Sequence, residues 1–203
     1  MKSYDKVFIA GVDKKTEWML EWFKEGFYRN NPDAELLVYN FDESFTHLEG
    51  WFKKPFAMVN AAQKANMVCW LDIDIEIVGS YEGVWDWVKP NMLTMAKDSP
   101  WTRRKQETWH NSGVVAFQNQ PQILLDWCAA VENKNHGQVG DQEVLHMLMT
   151  DELRRMSYIQ DLPKMYNTLR IDLIDGTAPK DIHGMHWTGQ KGKNHIKGLI
   201  ENE

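Results

Sequence analysis

Asp72, Asp74 and Glu76 stand at every other position in the stretch NMVCWLDIDIEIVGS, Asn66 to Ser80, with isoleucines between and after them. Carboxylates this close repel one another and lose hydration together, so the economical chemistry for them is a hard divalent cation held at a strand end. If the stretch is extended, alternation puts the three acids on one face and Ile73, Ile75 and Ile77 on the other. The plainer alternative is an edge strand with a solvated acidic face. Other chemically capable residues lie far away in sequence. Asn111-Ser112-Gly113 opens a second apolar run, and Asp141-Gln142 opens a helical pattern in which Asp141 could simply cap the end. The tail from Asp175 carries five glycines, with His183, His186 and His195 and with Lys191, Lys193 and Lys197. Glycine lets backbone approach an anion, lysine neutralises it, and a neutral imidazole can complete a metal shell.

The elements that must position these residues read as an α/β chain. Lys6–Val12 is a buried strand, an amphipathic helix follows from about Glu17 to Arg29, Asn30-Asn31-Pro32-Asp33 stops it, and Glu35–Asn40 is a second strand. A strand, helix, strand unit predicts a parallel pair with a right-handed crossover, and it places the loop Gly11 to Lys14 where open α/β sheets bind ligands. No GxGxxG phosphate fingerprint is present, which weakens a dehydrogenase reading. Pro55–Ala65 reads as a helix leading into the acidic strand, Met92–Ala96 as a strand, and Lys97–His110 as a long polar loop of the kind used for lids. Asn111–Phe117 returns to strand character, with Gly113 allowing close approach of backbone or ligand. Helices are expected at Gln122–Glu132 and from Asp141, and short strands at 157–162 and 169–174. The glycine-rich tail, 175–203, reads as loop.

Composition narrows the class. With 203 residues and 43% hydrophobic side chains the chain supports one core, and a net charge of −6 without a basic stripe argues against nucleic acid as the main partner. Cys69 and Cys128 both lie in apolar segments and read as buried thiols of a reducing compartment. The first apolar run is too short for a signal peptide or a membrane span, so the expectation is a soluble cytoplasmic protein. His47, His110, His136 and His146 lack ligand-like spacing and read as surface or capping residues. Among the ten tryptophans, Trp101 and Trp109 are candidates for acceptor contacts.

Four pieces stand in a telling order: WLDID (Trp70 to Asp74), NSGV (Asn111 to Val114), DQ (Asp141-Gln142) and HWTGQKGK (His186 to Lys193), with LPKMYN (Leu162 to Asn167) before the last. Together they resemble nucleotide-sugar-dependent glycosyltransferases of the GT-A fold, and are most similar to retaining glycosyltransferase family 8 and its relatives. The resemblance implies one domain over 1–203, with a mixed, mostly parallel central sheet flanked by helices and the 175–203 segment closing over the donor. It implies that Asp72 and Asp74 bind Mn2+ (or Mg2+) bridging a donor diphosphate, with His186 as third ligand. It places Val12 and Asp13 near the base or ribose, Lys54 at the donor, Asn111 and Ser112 toward the donor sugar, and Asp141 and Gln142 near the anomeric carbon. Asn111, Asp141 and Gln142 are thus the implied catalytic set. The family's HxxGxxK pattern would put a phosphate-binding lysine where this chain has Gly192. Lys191 and Lys193 flank it, beyond Gly189, and Lys191 is slightly favoured. Glu76 falls outside the ligand set. A UDP-sugar donor is favoured over a GDP-sugar, the implied stereochemistry is retention, and the acceptor is unreadable. A haloacid-dehalogenase-like phosphatase would need Thr or Val where Glu76 stands, and an EF-hand lacks its glycine. A catalytically silent binding module of the same fold is opposed by the intact Asp72, Asp74 and His186 set.

Overall fold

Strand β1 (Tyr4–Val12) is buried without interruption from Val7 to Val12, so both its faces must be covered. The computed structural model describes residues 2–133, 137, 138, 140–149 and 151–202. After β1 come α1 (Leu20–Asn30), β2 (Leu36–Asn40), α2 (Lys54–Lys64), β3 (Ala65–Leu71), β4 (Ile75–Ile77), β5 (Leu93–Lys97), α3 (Ser99–Lys105) and β6 (His110–Gln118). Then follow α4 (Gln122–Glu132), α5 (Asp141–Met147), α6 (Glu152–Tyr158), β7 (Ile159–Asp161), β8 (Thr168–Leu169), α7 (Arg170–Ile174), β9 (Gly184–His186) and α8 (Gly189–Glu201). The main sheet has the order β2-β1-β3-β6-β5-β7, and only β6 runs against the others. A second sheet, β4-β9-β8, stands beside it.

The period of two along β1 and β3 builds two cores. Val7, Ile9, Val68 and Trp70 face α2, α4 and α5 through Met58, Trp127 and Leu145. Phe8, Ala10, Cys69 and Leu71 face the other way, toward Phe23 and Phe27 of α1, Ile75 of β4 and Ile196 of α8. Phe23 and Phe27, four apart, share one stripe of α1, and Phe8 meets Phe27 edge-on with ring centroids 5.2 Å apart. Burying each such ring contributes about 1.5–3 kcal/mol. The helix stops at Asn31, whose Nδ2 donates to the Phe27 carbonyl at 3.0 Å and whose Oδ1 accepts from the Tyr81 backbone at 2.7 Å. Cys69 and Cys128 are buried and unpaired, and burial pushes both thiols up, that of Cys128 to about 12. Among the described residues no helix is long and apolar enough to cross a membrane.

Four stretches differ from the sequence-based expectation. Asn66–Ser80 is not one strand: β3 ends at Leu71, the chain turns through Asp72 to Asp74 with Ile75 N donating to Asp72 O at 3.2 Å, and β4 enters the second sheet. The alternation holds only over β4, where Ile75 and Ile77 are buried on either side of Glu76. The polar stretch 97–110 holds α3, started by Asp98, whose carboxylate accepts from the Trp101 backbone at 3.0 Å, and by Pro100 in the first turn. A helix polar on most sides carries no periodic signal to betray it. Residues 170–174 form α7 rather than a strand, because Asp172 accepts from the Leu169 backbone N–H at 3.1 Å and fixes the first turn. The tail is not loop throughout. Gly192, Ile196 and Ile200 fall four apart on one face of α8, and a Cβ at residue 192 would overlap the Trp187 backbone. A glycine that reads as a helix breaker is here what lets the helix pack.

Candidate active site

The acidic turn sits at the C-terminal end of β3, in the middle of the main sheet, where two backbone contacts hold it. Asp72 N donates to Gly113 O on β6 at 2.8 Å, and Trp187 N donates to Asp74 O at 3.0 Å. The second follows from antiparallel pairing of β4 with β9, which sets Ile75 opposite His186. His186 Nε2 lies 3.1 Å from Asp74 Oδ1 and 3.7 Å from Asp72 Oδ2, and one ligand atom from each residue falls within 4.8 Å of the others. Gly113 makes room: a Cβ there would overlap the His186 ring. Two carboxylates and an imidazole are a donor set that could hold a divalent cation, and the ring is already oriented by Asn167 Oδ1, 3.0 Å from His186 Nδ1. Burial works to raise the Asp74 carboxyl, but the facing His186 outweighs it, with Lys193 adding, and holds Asp74 below the usual carboxylate range. The converse holds for His186, which burial would lower and the Asp74 and Asp72 charges raise.

Lys54 completes the other half. It is the first residue of α2, with Pro55 behind it in the opening turn, and it is 3% exposed. Its Nζ reaches Asp72 Oδ1 at 2.9 Å, Asp141 Oδ2 at 3.2 Å, and both the hydroxyl and the carbonyl of Ser112 at 3.1 Å. Burial opposes its charge, and the two carboxylates overcome that opposition and raise it. Asp141 is raised by burial, with Asp72 adding and Lys54 opposing. Asp141 is no cap: the cap position is Gly140, and the Asp141 carboxylate accepts from Ser112 Oγ at 2.9 Å. Trp70 Nε1 donates to Asp72 Oδ1 at 2.7 Å and steadies the turn from behind.

These groups line a cavity of about 670 Å3, in the size range of a site for a substrate-sized molecule. It receives Asp13, Lys54, Asp72, Asp74, Asn111, Ser112, Asp141, Gln142, His186, Gly189 and Lys193. Gly189 takes φ 71°, a left-handed conformation that suits glycine at this bend into α8. Two expected residues stand elsewhere. Val12 is buried among α1 and β3 side chains, and Gly11 and Asp13 on either side of it line the cavity instead, with Asp13 Oδ1 accepting from Thr16 Oγ1 at 2.8 Å. Lys191, the slightly favoured of the two lysines, is exposed and outside the lining, whereas Lys193 lines the cavity.

Trp101 and Trp109 do not line the cavity. Trp109 is buried, stacked on His146 with centroids 3.6 Å apart and on Trp101 at 5.4 Å, a fastening between α3 and α5. His146 and His110 are therefore not surface histidines: His110 Nε2 lies 2.8 Å from Asp161 Oδ1 inside the sheet edge. His136 falls outside the described residues. Glu76 accepts a hydrogen bond from Trp187 Nε1 at 2.8 Å and is not one of the three clustered groups. Sequence reasoning missed Trp51, which lines the cavity, Asn167, which faces His186, and Asp98, whose carboxylate accepts from the amide of Asn111. Asn167 closes the LPKMYN segment, which could have pointed to it, while Asp98 shows only as an acid before Ser-Pro.

No protein-family profile and no curated protein matches this sequence. Solved structures do. The galactosyltransferase LgtC, crystallised with donor and acceptor sugar analogues, is similar over 96% of this chain and 95% of its own at 12% identity and a TM-score of 0.62. A glycosyltransferase involved in glycosylation of the major capsid of PBCV-1 is similar over 97% and 99% of the two chains, at 14% identity and a TM-score of 0.69. The apo glycosyltransferase GlyE of Streptococcus pneumoniae TIGR4 covers 92% of this chain with 55% of its own, at 17% identity and a TM-score of 0.67. Mixed sheet, flanking helices and these neighbours agree: the chain has the GT-A glycosyltransferase fold.

Proposed function

We propose that this chain is a metal-dependent glycosyltransferase, one domain over residues 1–203, that moves a sugar from a nucleotide-diphosphate donor to an acceptor hydroxyl. The observation that carries the reading is convergence: the Asp72, Asp74 and His186 triplet and the Lys54–Asp141 pair open into one cavity of a GT-A fold. When bound, a divalent cation supplies Lewis-acid neutralisation of the diphosphate. Lys193, at the start of α8, adds positive charge on the same side, and Gly189 lets backbone approach the anion. The segment from His186 onward thus closes over the donor.

Lys54, held charged by Asp72 and Asp141, keeps positive charge in the cavity wall, and Gln142, one of whose Nε2 hydrogens goes to Asp98, has a second for a sugar hydroxyl. Asp141 stands with a carboxylate oxygen toward the cavity, where it stabilises positive charge developing on the sugar. In the retaining course the bond from the anomeric carbon to the donor phosphate oxygen breaks and the acceptor oxygen bonds the same face. The acceptor proton passes to the leaving diphosphate. A UDP-sugar is the favoured donor and a GDP-sugar the alternative.

A panel of UDP- and GDP-sugars, assayed for metal-dependent binding and hydrolysis, tests this reading. Asp74→Asn is expected to abolish metal-dependent transfer with the circular dichroism spectrum unchanged, and His186→Ala to weaken nucleotide binding only when metal is present. Unchanged turnover in the first, or equal loss with and without metal in the second, removes the metal assignment.

A further inference from the structure

Asp98 is 2% exposed and lies behind the cavity wall, yet its side-chain partners are all donors. Oδ1 takes the Trp101 backbone N–H at 3.0 Å, and Oδ2 takes Asn111 Nδ2 and Gln142 Nε2, each at 3.2 Å. The two amides are pinned from their far ends as well, by backbone N–H groups that can only donate. Gly113 N donates to Asn111 Oδ1 at 2.9 Å, and Ser112 N donates to Gln142 Oε1 at 3.1 Å. Neither amide can turn over without setting donor against donor.

The polarity then propagates. Asn111 Oδ1 also accepts from Asn167 Nδ2 at 2.9 Å, which commits the NH2 end of Asn167 and leaves its oxygen facing His186 Nδ1 at 3.0 Å. An oxygen there requires Nδ1 to carry hydrogen, so Nε2, 3.1 Å from Asp74 Oδ1, is the nitrogen that coordinates once a cation takes the place of its proton. We propose that Asp98 is a positioning residue which, through Asn111 and Asn167, fixes the hydrogen-bond polarity of His186 and so makes Nε2 a metal ligand. Its value as a ligand rests on the metal reading above; the hydrogen-bond polarity itself does not.

Asp98→Asn isolates the effect, because asparagine caps helices as well as aspartate does and keeps the start of α3. Two-bond nitrogen-15 couplings of the labelled imidazole, recorded without metal, read directly whether Nδ1 carries hydrogen. In the natural protein Nδ1 is expected to carry hydrogen, whatever Nε2 shares with Asp74. In Asp98→Asn and in Asn167→Ala a fraction with bare Nδ1 is expected, with Mn2+ affinity by electron paramagnetic resonance reduced about tenfold to a hundredfold. The double variant is expected to lose no more than the worse single, since both break one chain. A bare Nδ1 in the natural protein, an Nδ1 fully protonated in Asp98→Asn with unchanged Mn2+ affinity, or additive losses would overturn the proposal. A natural protein with the proton on Nδ1 and no Mn2+ binding would instead sink the metal reading and leave the relay standing.

Discussion

Two lysine–aspartate clusters in this molecule differ in a way that separates fastening from function. Lys164 and Asp172 meet at 2.9 Å across a short stretch of chain, from the turn before β8 to α7, and Asp172 is fully buried. Its oxygens are taken up by Lys164 Nζ, Thr177 Oγ1 at 2.9 Å and the Leu169 backbone at 3.1 Å, while Lys164 also donates to Ser99 Oγ at 2.7 Å. Lys54 meets Asp72 and Asp141 across three separate elements, α2, the β3–β4 turn and α5. There Asp72 and Asp74 keep 24% and 16% of their side chains open, toward a cavity. A local cluster with its carboxylate satisfied holds a loop shut. One assembled from distant segments, with carboxylate surface left over, has capacity for a ligand.

The comparison is most exposed to Lys54→Met. That variant is expected to lower kcat/KM for the donor about 10³-fold, roughly 4 kcal/mol, because the charge that holds Asp72 and Asp141 in place at the cavity wall is lost. Asp141, already raised by burial, rises further without Lys54 to oppose it. A carboxyl with a raised folded pKa favours the folded state at low pH and costs stability as pH climbs through it, so Lys54→Met is expected to resist urea relatively better in acid. A loss under threefold in turnover would erase the distinction between the clusters. Asp172→Ala should do the reverse. With the Leu169 N–H and Thr177 deprived of this acceptor and Lys164 left with Ser99, about 3 kcal/mol of stability goes, while turnover of the folded fraction, measured in the cold, stays within about twofold. Intact stability with lost turnover would make this cluster functional instead.

A third, half-exposed pair calibrates the small end. The His110 hydrogen bond, opposed by burial and helped by Lys97, holds Asp161 at about 2 against an ordinary 3.8. A depressed acid contributes stability above its unfolded value, lost as pH falls from 3.8 toward 2. With Asp161 side chain 51% exposed, solvent screening leaves about 0.5 kcal/mol. The urea midpoints of the natural protein and Asp161→Asn should therefore converge over that interval. Midpoints that stay parallel would place the effect in packing rather than charge.

How legible these features were depended on how local their causes are. β1, β3 and β6 announce themselves as apolar runs because a strand covered on both faces has no polar side to show. α8 was hidden, since Gly192 suits close packing against Trp187, a contact that propensity does not describe. α7 was hidden by a single capping carboxylate, Asp172, within an alternating sequence. Lys193 and Lys191 are equivalent on the page and become distinct only when the helix turns one toward Asp74.

By itself the sequence determined that acids close enough to need a cation end a buried strand, and that a histidine stands in a glycine-rich tail far along the chain. Residue types and short spacings carry that much, because neighbouring carboxylates repel whatever surrounds them. Only tertiary structure decided that Ile75 pairs with His186, that Lys54 bridges Asp72 to Asp141, and that Asp98 aligns the amides behind them. Strand register and hydrogen-bond polarity depend on groups a hundred residues apart meeting at about 3 Å, a distance that no local pattern encodes.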